Sequence, residues 1–297
     1  MLFHHIPVHE KRAQLKQSIQ SKQFLRFPGA FNPYIALLIE SHGFEGVYIS
    51  GGALAAQMAW PDVGLTTLSE VTLQGNSIAK STRLPCIIDA DTGFGEEMNV
   101  ARTIFELEDK GLCGCHIEDQ IFPKRCGHLD NKELLSTSEM VKKIKAAVYA
   151  RKDPNFLIIA RTDAKQSEGI DGMISRAKAY LEAGADLIFP EALSSEKEYE
   201  SVGKALDAPL LANMTEFGKT PILTTQSLEN CGFSIVIYPV TTFRLAMKAI
   251  EKGLSIIKEE GSQEKCLEDM HTRKRLYEIL EYSKYQELDE SVFNFLI

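Results

Sequence analysis

Asp89 and Asp91 flank Ala90 and run directly into Thr92-Gly93-Phe94-Gly95, while Glu118 closes the next apolar run, GCHIED at 114–119. Alternate residues of an extended segment share a face, so the two aspartates project to one side. Carboxylates collected at strand ends suit Mg²⁺ or Mn²⁺, hard cations that take oxygen ligands and keep waters for a substrate to displace. A lone aspartate would as readily end a strand and cap the next turn; the addition of Glu118 favours the metal reading. His116, on the same run, reads as a structural hydrogen-bond partner of a carboxylate. A second group follows at once: Lys124-Arg125-Cys126-Gly127-His128 crowds two cations, an imidazole and a thiol. Cations pull a thiol below its usual pKa near 8.5, so Cys126 is suited to moving a proton near neutrality, and Gly127 permits close backbone approach. Cysteines 86, 113, 115, 231 and 266 show no CxxC spacing and read as free, buried thiols.

The elements that must hold these groups are legible as short apolar runs at 24–30, 46–52, 85–91, 114–119, 156–163, 186–192, 209–215 and 233–239. Stretches with apolar residues every three or four positions, such as 140–152 and 173–184, lie between them. Eight alternating strand and helix units predict a parallel sheet closed as a (β/α)8 barrel. A doubly wound open sheet would use fewer strands and a glycine-rich phosphate turn. The strands end in Ser50, Asp89 and Asp91, His116 and Glu118, Arg161 and Asp163, Glu191, Asn213 and Thr215. In a barrel those ends converge on one face. From about residue 240 the chain reads as helices that pack outside the barrel or against another subunit, within one domain spanning 1–297.

Composition narrows the function classes. A net charge of −8 without a basic run argues against nucleic acid and anionic membranes, and leaves room for a small anionic substrate in a local basic pocket. No stretch approaches the roughly 20 apolar residues that span a bilayer, and the N-terminal segment lacks a signal-peptide core. The expectation is a cytoplasmic enzyme with no membrane partner.

Taken together, IEDQ at 117–120, the intervening IFP and KRCGH at 124–128 resemble the catalytic loop of the isocitrate lyase and phosphoenolpyruvate mutase superfamily. The likeness continues through YISGG at 48–52, PD at 61–62, DADTGFG at 89–95, ARTDA at 160–164, FPEA at 189–192, NMTEFG at 213–218, YPVTTFR at 238–244 and MHTRKRLYE at 270–278. This resemblance implies a carbon–carbon lyase that uses Mg²⁺, with Mn²⁺ as a substitute, held by Asp89, Asp91 and Glu118. It implies a tricarboxylate substrate, 2-methylisocitrate, cleaved to pyruvate and succinate in propionate catabolism through the methylcitrate cycle. The alternatives are 2,3-dimethylmalate, isocitrate or oxaloacetate as substrate; the KRCGH loop disfavours a phosphonomutase. A non-catalytic binding or scaffold protein would have lost polar strand ends, and none is missing.

Carried onto this sequence, the resemblance implies that Ser50, Gly51 and Gly52 hold a substrate carboxylate. Cys126, Gly127, Arg161, Glu191, Asn213, Met214, Thr215, Arg244 and Arg273 complete the pocket, Met214 through its backbone, with Phe189 and Pro239 on the apolar side. Cys126 would be the proton donor, with His128 beside it in a loop that closes over substrate; Tyr48 and Asp62 are both candidates for handling the hydroxyl proton. Arg273 could equally belong to an exposed helical charge face. Ala53 stands where the resemblance leads us to expect another glycine in many members, which bears on fine specificity. A homotetramer exchanging a C-terminal helix is also implied.

Overall fold

The computed structural model describes residues 6–125 and 133–293. Its strands are β1 (Leu25–Pro28), β2 (Val47–Ile49), β3 (Cys86–Asp89), β4 (Gly114–Glu118), β5 (Leu157–Thr162), β6 (Leu187–Pro190), β7 (Leu211–Asn213) and β8 (Ile235–Tyr238), one inside each apolar run. They alternate with α1 (Val8–Gln20), α2 (Pro33–Ser41), α3 (Gly51–Gln57), α4 (Leu68–Ala79), α5 (Glu97–Asp109), α6 (Thr137–Ala150), α7 (Lys165–Glu182), α8 (Glu196–Ala205) and α9 (Thr225–Asn230). After β8 come α10 (Thr241–Glu260), a 3-10 turn at Glu264–Asp269, α11 (Arg273–Ile279) and α12 (Tyr282–Phe293). All strand pairs are parallel, in two sheets ordered β1-β8-β7 and β2-β3-β4-β5-β6. Single parallel bridges join the sheets at both seams, Gly29 to Tyr48 and Ile188 to Leu210.

The strands are buried on both faces, so they read as apolar runs rather than as alternating patterns. Their side chains nevertheless sort by a period of two. Ile88, Ile158, Ile188 and Val236 join the layer shared with the helices. Ile87, Ile159, Phe189, Leu211 and Ile237 join a second cluster with Phe27 and Tyr48. Leu15 and Ile19 of α1 complete that cluster. The same helix buries Lys11 and Arg12, whose side chains donate to the carbonyls of Ala79, Thr82, Leu112 and Glu108. Buried cations are tolerated there because carbonyls at helix ends and in the following loops satisfy them, and Arg12 is also paired with Asp153 and Glu108.

Helix boundaries follow local chemistry. Capping boxes start α4 (Thr67 with Glu70) and α6 (Ser136 with Glu139). Helix α7 begins eight residues before the periodic stretch at 173, because Gly169 leaves helical geometry at φ 69° and interrupts the repeat.

Candidate active site

Two residues beyond the inner apolar layer, the same register turns polar: Tyr48 leads to Ser50, Ile87 to Asp89, Ile159 to Arg161, Phe189 to Glu191 and Leu211 to Asn213. These groups surround a cavity of about 310 Å³ at the C-terminal strand ends. Its wall also includes Gly52, Asp62, Lys124, Thr215 and Arg244, with Ala53, Ala56, Phe189, Pro239, Val240 and Phe243 forming an apolar side. Gly51 is buried behind the wall, its N–H donating to Asp89 Oδ2 at 3.3 Å; a Cβ there would sit 2.9 Å from that oxygen. Ser50 caps α3, accepting from the Ala53 N–H.

Beneath the cavity, charge is arranged in pairs. Arg161 is its hub: the guanidinium chelates Asp163 at 2.9 and 3.1 Å, lies 3.0 Å from Glu118 Oε2 and 3.7 Å from Glu191, and covers the Phe189 ring. Asp163 is itself fixed from behind. Its N–H donates to Asp119 Oδ1 at 2.9 Å, and Asp119 accepts from Tyr180 Oη at 2.8 Å and lies 3.4 Å from Arg176. Lys124, 3 % exposed, bridges Asp62 and Asp91, the latter at 2.8 Å. Burial opposes its charge, but Asp91, Glu118, Asp89 and Asp62 together raise its pKa well above the ordinary lysine value.

The carboxylates diverge in response. Burial pushes Asp91 up to about 6 and Glu118 well above the usual range. Asp89 is equally buried, yet His116, Lys124 and Arg161 hold it below its ordinary value. Burial lowers His116 to about 4, so its ring is neutral at physiological pH. Its Nε2 lies 2.8 Å from Tyr48 Oη, and its Nδ1 lies 3.7 Å from Asp89. Burial first, and then Asp89, keep the Tyr48 phenol protonated by raising its pKa.

For a metal the result is mixed. Among the described residues, no group of three His, Cys, Asp or Glu side chains stands ready as a closed ligand set. Asp89 reaches the cavity, whereas Asp91 and Glu118 lie below it, drawn to Lys124 and Arg161. Besides burial, the Asp89 charge raises the pKa of both Asp91 and Glu118, so the three carboxylates still act on one another. Asp91 Oδ1 stands 2.8 Å from Lys124 and Glu118 Oε2 3.0 Å from Arg161, while Glu118 Oε1 is buried with no hydrogen-bond partner. A buried carboxylate oxygen left unpaired fits a cation that keeps part of its water shell, as Mg²⁺ does.

Of the residues singled out in the sequence, Tyr48, Ser50, Gly52, Asp62, Asp89, Arg161, Glu191, Asn213, Thr215 and Arg244 are brought together around the cavity. Met214 is buried, with its sulfur accepting from the Leu223 N–H. Arg273 opens α11, where Thr272 caps the helix, and is exposed and absent from the cavity wall. Cys126, Gly127 and His128 lie outside the described residues. Sequence reasoning treated Lys124 only as a neighbour of Cys126. Its position before the loop gave no sign that two carboxylates distant in sequence would receive it. Phe243 and Val240 were missed because they follow β8 in what reads as the start of an outer helix.

A mouth of polar strand ends on an all-parallel α/β frame, with paired carboxylates and guanidinium groups, defines an enzyme site for a small anionic metabolite. A family model described as phosphoenolpyruvate phosphomutase matches residues 15–258, and the chain belongs to this family. It is similar to a protein of Corynebacterium glutamicum named probable 2-methylisocitrate lyase 1, with 55 % identity covering 98 % of this chain and 95 % of that one. It is also similar to the 2-methylisocitrate lyase of Aeropyrum pernix, at 48 % identity with 96 % and 92 % covered. Among solved structures, a 2,3-dimethylmalate lyase superposes with a TM-score of 0.89 at 31 % identity, covering 97 % of this chain and 98 % of that one. A phosphonopyruvate hydrolase in complex with oxalate and Mg²⁺ superposes at 0.86 with 29 % identity, covering 94 % and 98 %.

Proposed function

We propose that this chain is a Mg²⁺-dependent lyase that cleaves 2-methylisocitrate to pyruvate and succinate, on a closed (β/α)8 barrel. The observation that carries the reading is the mixed wall of the cavity: Arg161, Arg244 and Lys124 for carboxylates, interleaved with Phe189, Pro239 and Phe243 for a methyl group. The relatives' names support the same substrate.

Carboxylates at and beneath the cavity outnumber its three cationic side chains, so a tricarboxylate needs added positive charge to bind. Asp89, Asp91 and Glu118 would hold the Mg²⁺ that supplies it, with Mn²⁺ as a substitute. Bound there, the metal would supply Lewis acidity toward a substrate hydroxyl.

The chain's own groups then divide the work. Asp62, on the cavity wall, takes the hydroxyl proton; Tyr48, held protonated by burial, donates to the oxygen as it becomes the ketone of pyruvate. The C2–C3 bonding pair moves onto C3, and charge spreads into its carboxylate as an aci-form. Arg161 and Arg244 face that charge, and Asn213 is held by Glu191 through its amide nitrogen at 3.2 Å. Cys126 delivers a proton to C3, which completes succinate and leaves a thiolate to be reprotonated, with His128, two positions on in the sequence, as the second catalytic group. Ser50, Gly52 and Thr215, on the cavity wall, hold the remaining carboxylate. We assign the enzyme to the cytoplasm as a homotetramer, a reading supported by the apolar face of α10.

Turnover in D₂O with Mg²⁺ tests the chemistry. It should yield pyruvate and succinate carrying one deuterium at the carbon that was C3. Undeuterated succinate, or the absence of pyruvate, would contradict it.

A further inference from the structure

Lys124 reaches the cavity only because the chain reverses sharply just before it. The turn from Ile121 to Pro123 has little packing to hold it, since Ile121 is 41 % and Phe122 59 % exposed. One buried side chain closes it. Gln120, 1 % exposed, donates from Nε2 to the Arg125 carbonyl at 2.9 Å and accepts at Oε1 from the Arg125 N–H at 2.9 Å. A primary amide can donate and accept at once, so it captures both backbone groups of one residue. Gln120 is itself anchored. It bridges Leu134 across the base of the loop, where the Ile121 N–H donates to the Glu133 carbonyl and the Leu135 N–H to the Asp119 carbonyl, each within 2.9 Å. On the other side, Gly64 approaches so closely that a Cβ would lie 3.1 Å from the Phe122 ring and 3.5 Å from the Lys124 amide. With residue 125 fixed on one side and Lys124 Nζ between Asp62 and Asp91 on the other, the lysine backbone has little freedom.

We infer that Gln120 is a positioning residue for the reaction: absent from the cavity wall, it sets where the Lys124 ammonium stands between Asp62 and Asp91. The role rests on the proposed lyase reading, but the clasp itself can be tested without any substrate.

Two measurements on Gln120→Met separate these. Trypsin cleavage at the Lys124–Arg125 and Arg125–Cys126 bonds, followed by mass spectrometry, should accelerate by roughly tenfold or more over the native protein, because the backbone at 125 loses its clasp. Equal cleavage rates would overturn the clasp. Turnover of 2-methylisocitrate should fall by about tenfold or more, since small misplacements of a catalytic group are costly. In a cycle with Lys124→Arg, which keeps the charge and some activity, the double variant should lose no more than the worse single variant. Multiplying losses would mean that Gln120 does not act through Lys124 and would overturn the positioning role. If Gln120→Met fails to fold, Gln120→Asn keeps both polar groups one methylene short of Arg125 and carries the same expectations. If the native protein turns over no 2-methylisocitrate, faster cleavage of the variant still supports the clasp and the failure belongs to the substrate assignment.

Discussion

Tyr48 and Asp62 entered from the sequence as equal candidates for the hydroxyl proton, and the proposed division between them rests on their surroundings. Tyr48 is 3 % exposed, paired with a neutral His116 and pushed upward by burial, which suits a donor. Asp62 has 29 % of its side chain accessible and a lysine beside it, which suits an acceptor. Asp62→Asn should therefore lower kcat by about 10²-fold or more, in the range of general acid–base catalysis, and Tyr48→Phe by a smaller factor. Steady-state kinetics showing the reverse order would exchange the two roles. Cys126→Ser should leave the thermal midpoint within a few degrees and lower turnover by about 10²-fold or more. Native turnover in that variant would remove the cysteine from the mechanism. At this scale, residues on strands were the legible ones, because the period of two fixes the face each side chain takes. Lys124 and Gln120 were not, since their roles depend on a turn whose shape no spacing rule encodes.

At the scale of elements, apolar runs located every strand, because sequence and burial agree where both faces are covered. The early start of α7 was hidden by Gly169, and the burial of Lys11 and Arg12 by their charge, which reads as surface until carbonyls at helix ends and in loops are found to satisfy them. A similar local knot binds α2 to the turn before β3. Glu40 accepts from Thr82 Oγ1 at 2.5 Å and from the Arg83 N–H at 2.8 Å. Burial disfavours its charge, yet the Thr82 and Arg83 bonds bring its pKa below the ordinary 4.5. A carboxylate lowered on folding contributes stability that is fully present above the unfolded pKa and is lost as pH falls through the folded one. Glu40→Gln should therefore cost about 1–2 kcal/mol at pH 7, the worth of a hydrogen-bonded charge. That gap should close as denaturant melts are repeated from pH 5 down to pH 3. A gap constant across that range would show that the knot does not act through the carboxylate's charge.

The whole molecule shows a sharp contrast between its halves. Strands are sealed on both faces, whereas α10 buries no residue and exposes Leu245, Ile250, Leu254 and Ile257 at 67, 52, 62 and 45 %. An apolar stripe of this size on a helix calls for a partner surface, and a second copy of the chain is the proposed one. Sedimentation at micromolar concentration should give a tetramer, and Ile250→Lys with Leu254→Lys should shift it to smaller species; a native monomer throughout would contradict the assembly. The C-terminal helices themselves were legible from their periodicity, but their partner was not, because one chain carries no record of which copy covers it. The central claim concerns what enters the cavity, and one competition experiment addresses it. The purified protein, with Mg²⁺, receives 2-methylisocitrate, 2,3-dimethylmalate, isocitrate and oxaloacetate in equal amounts, and products are followed by mass spectrometry with and without EDTA. The predicted result is pyruvate and succinate from 2-methylisocitrate at a kcat/KM at least about tenfold above the others, one methyl in an apolar pocket being worth about that factor, with all turnover lost to EDTA. Faster consumption of any other substrate, or turnover that EDTA leaves untouched, would contradict it.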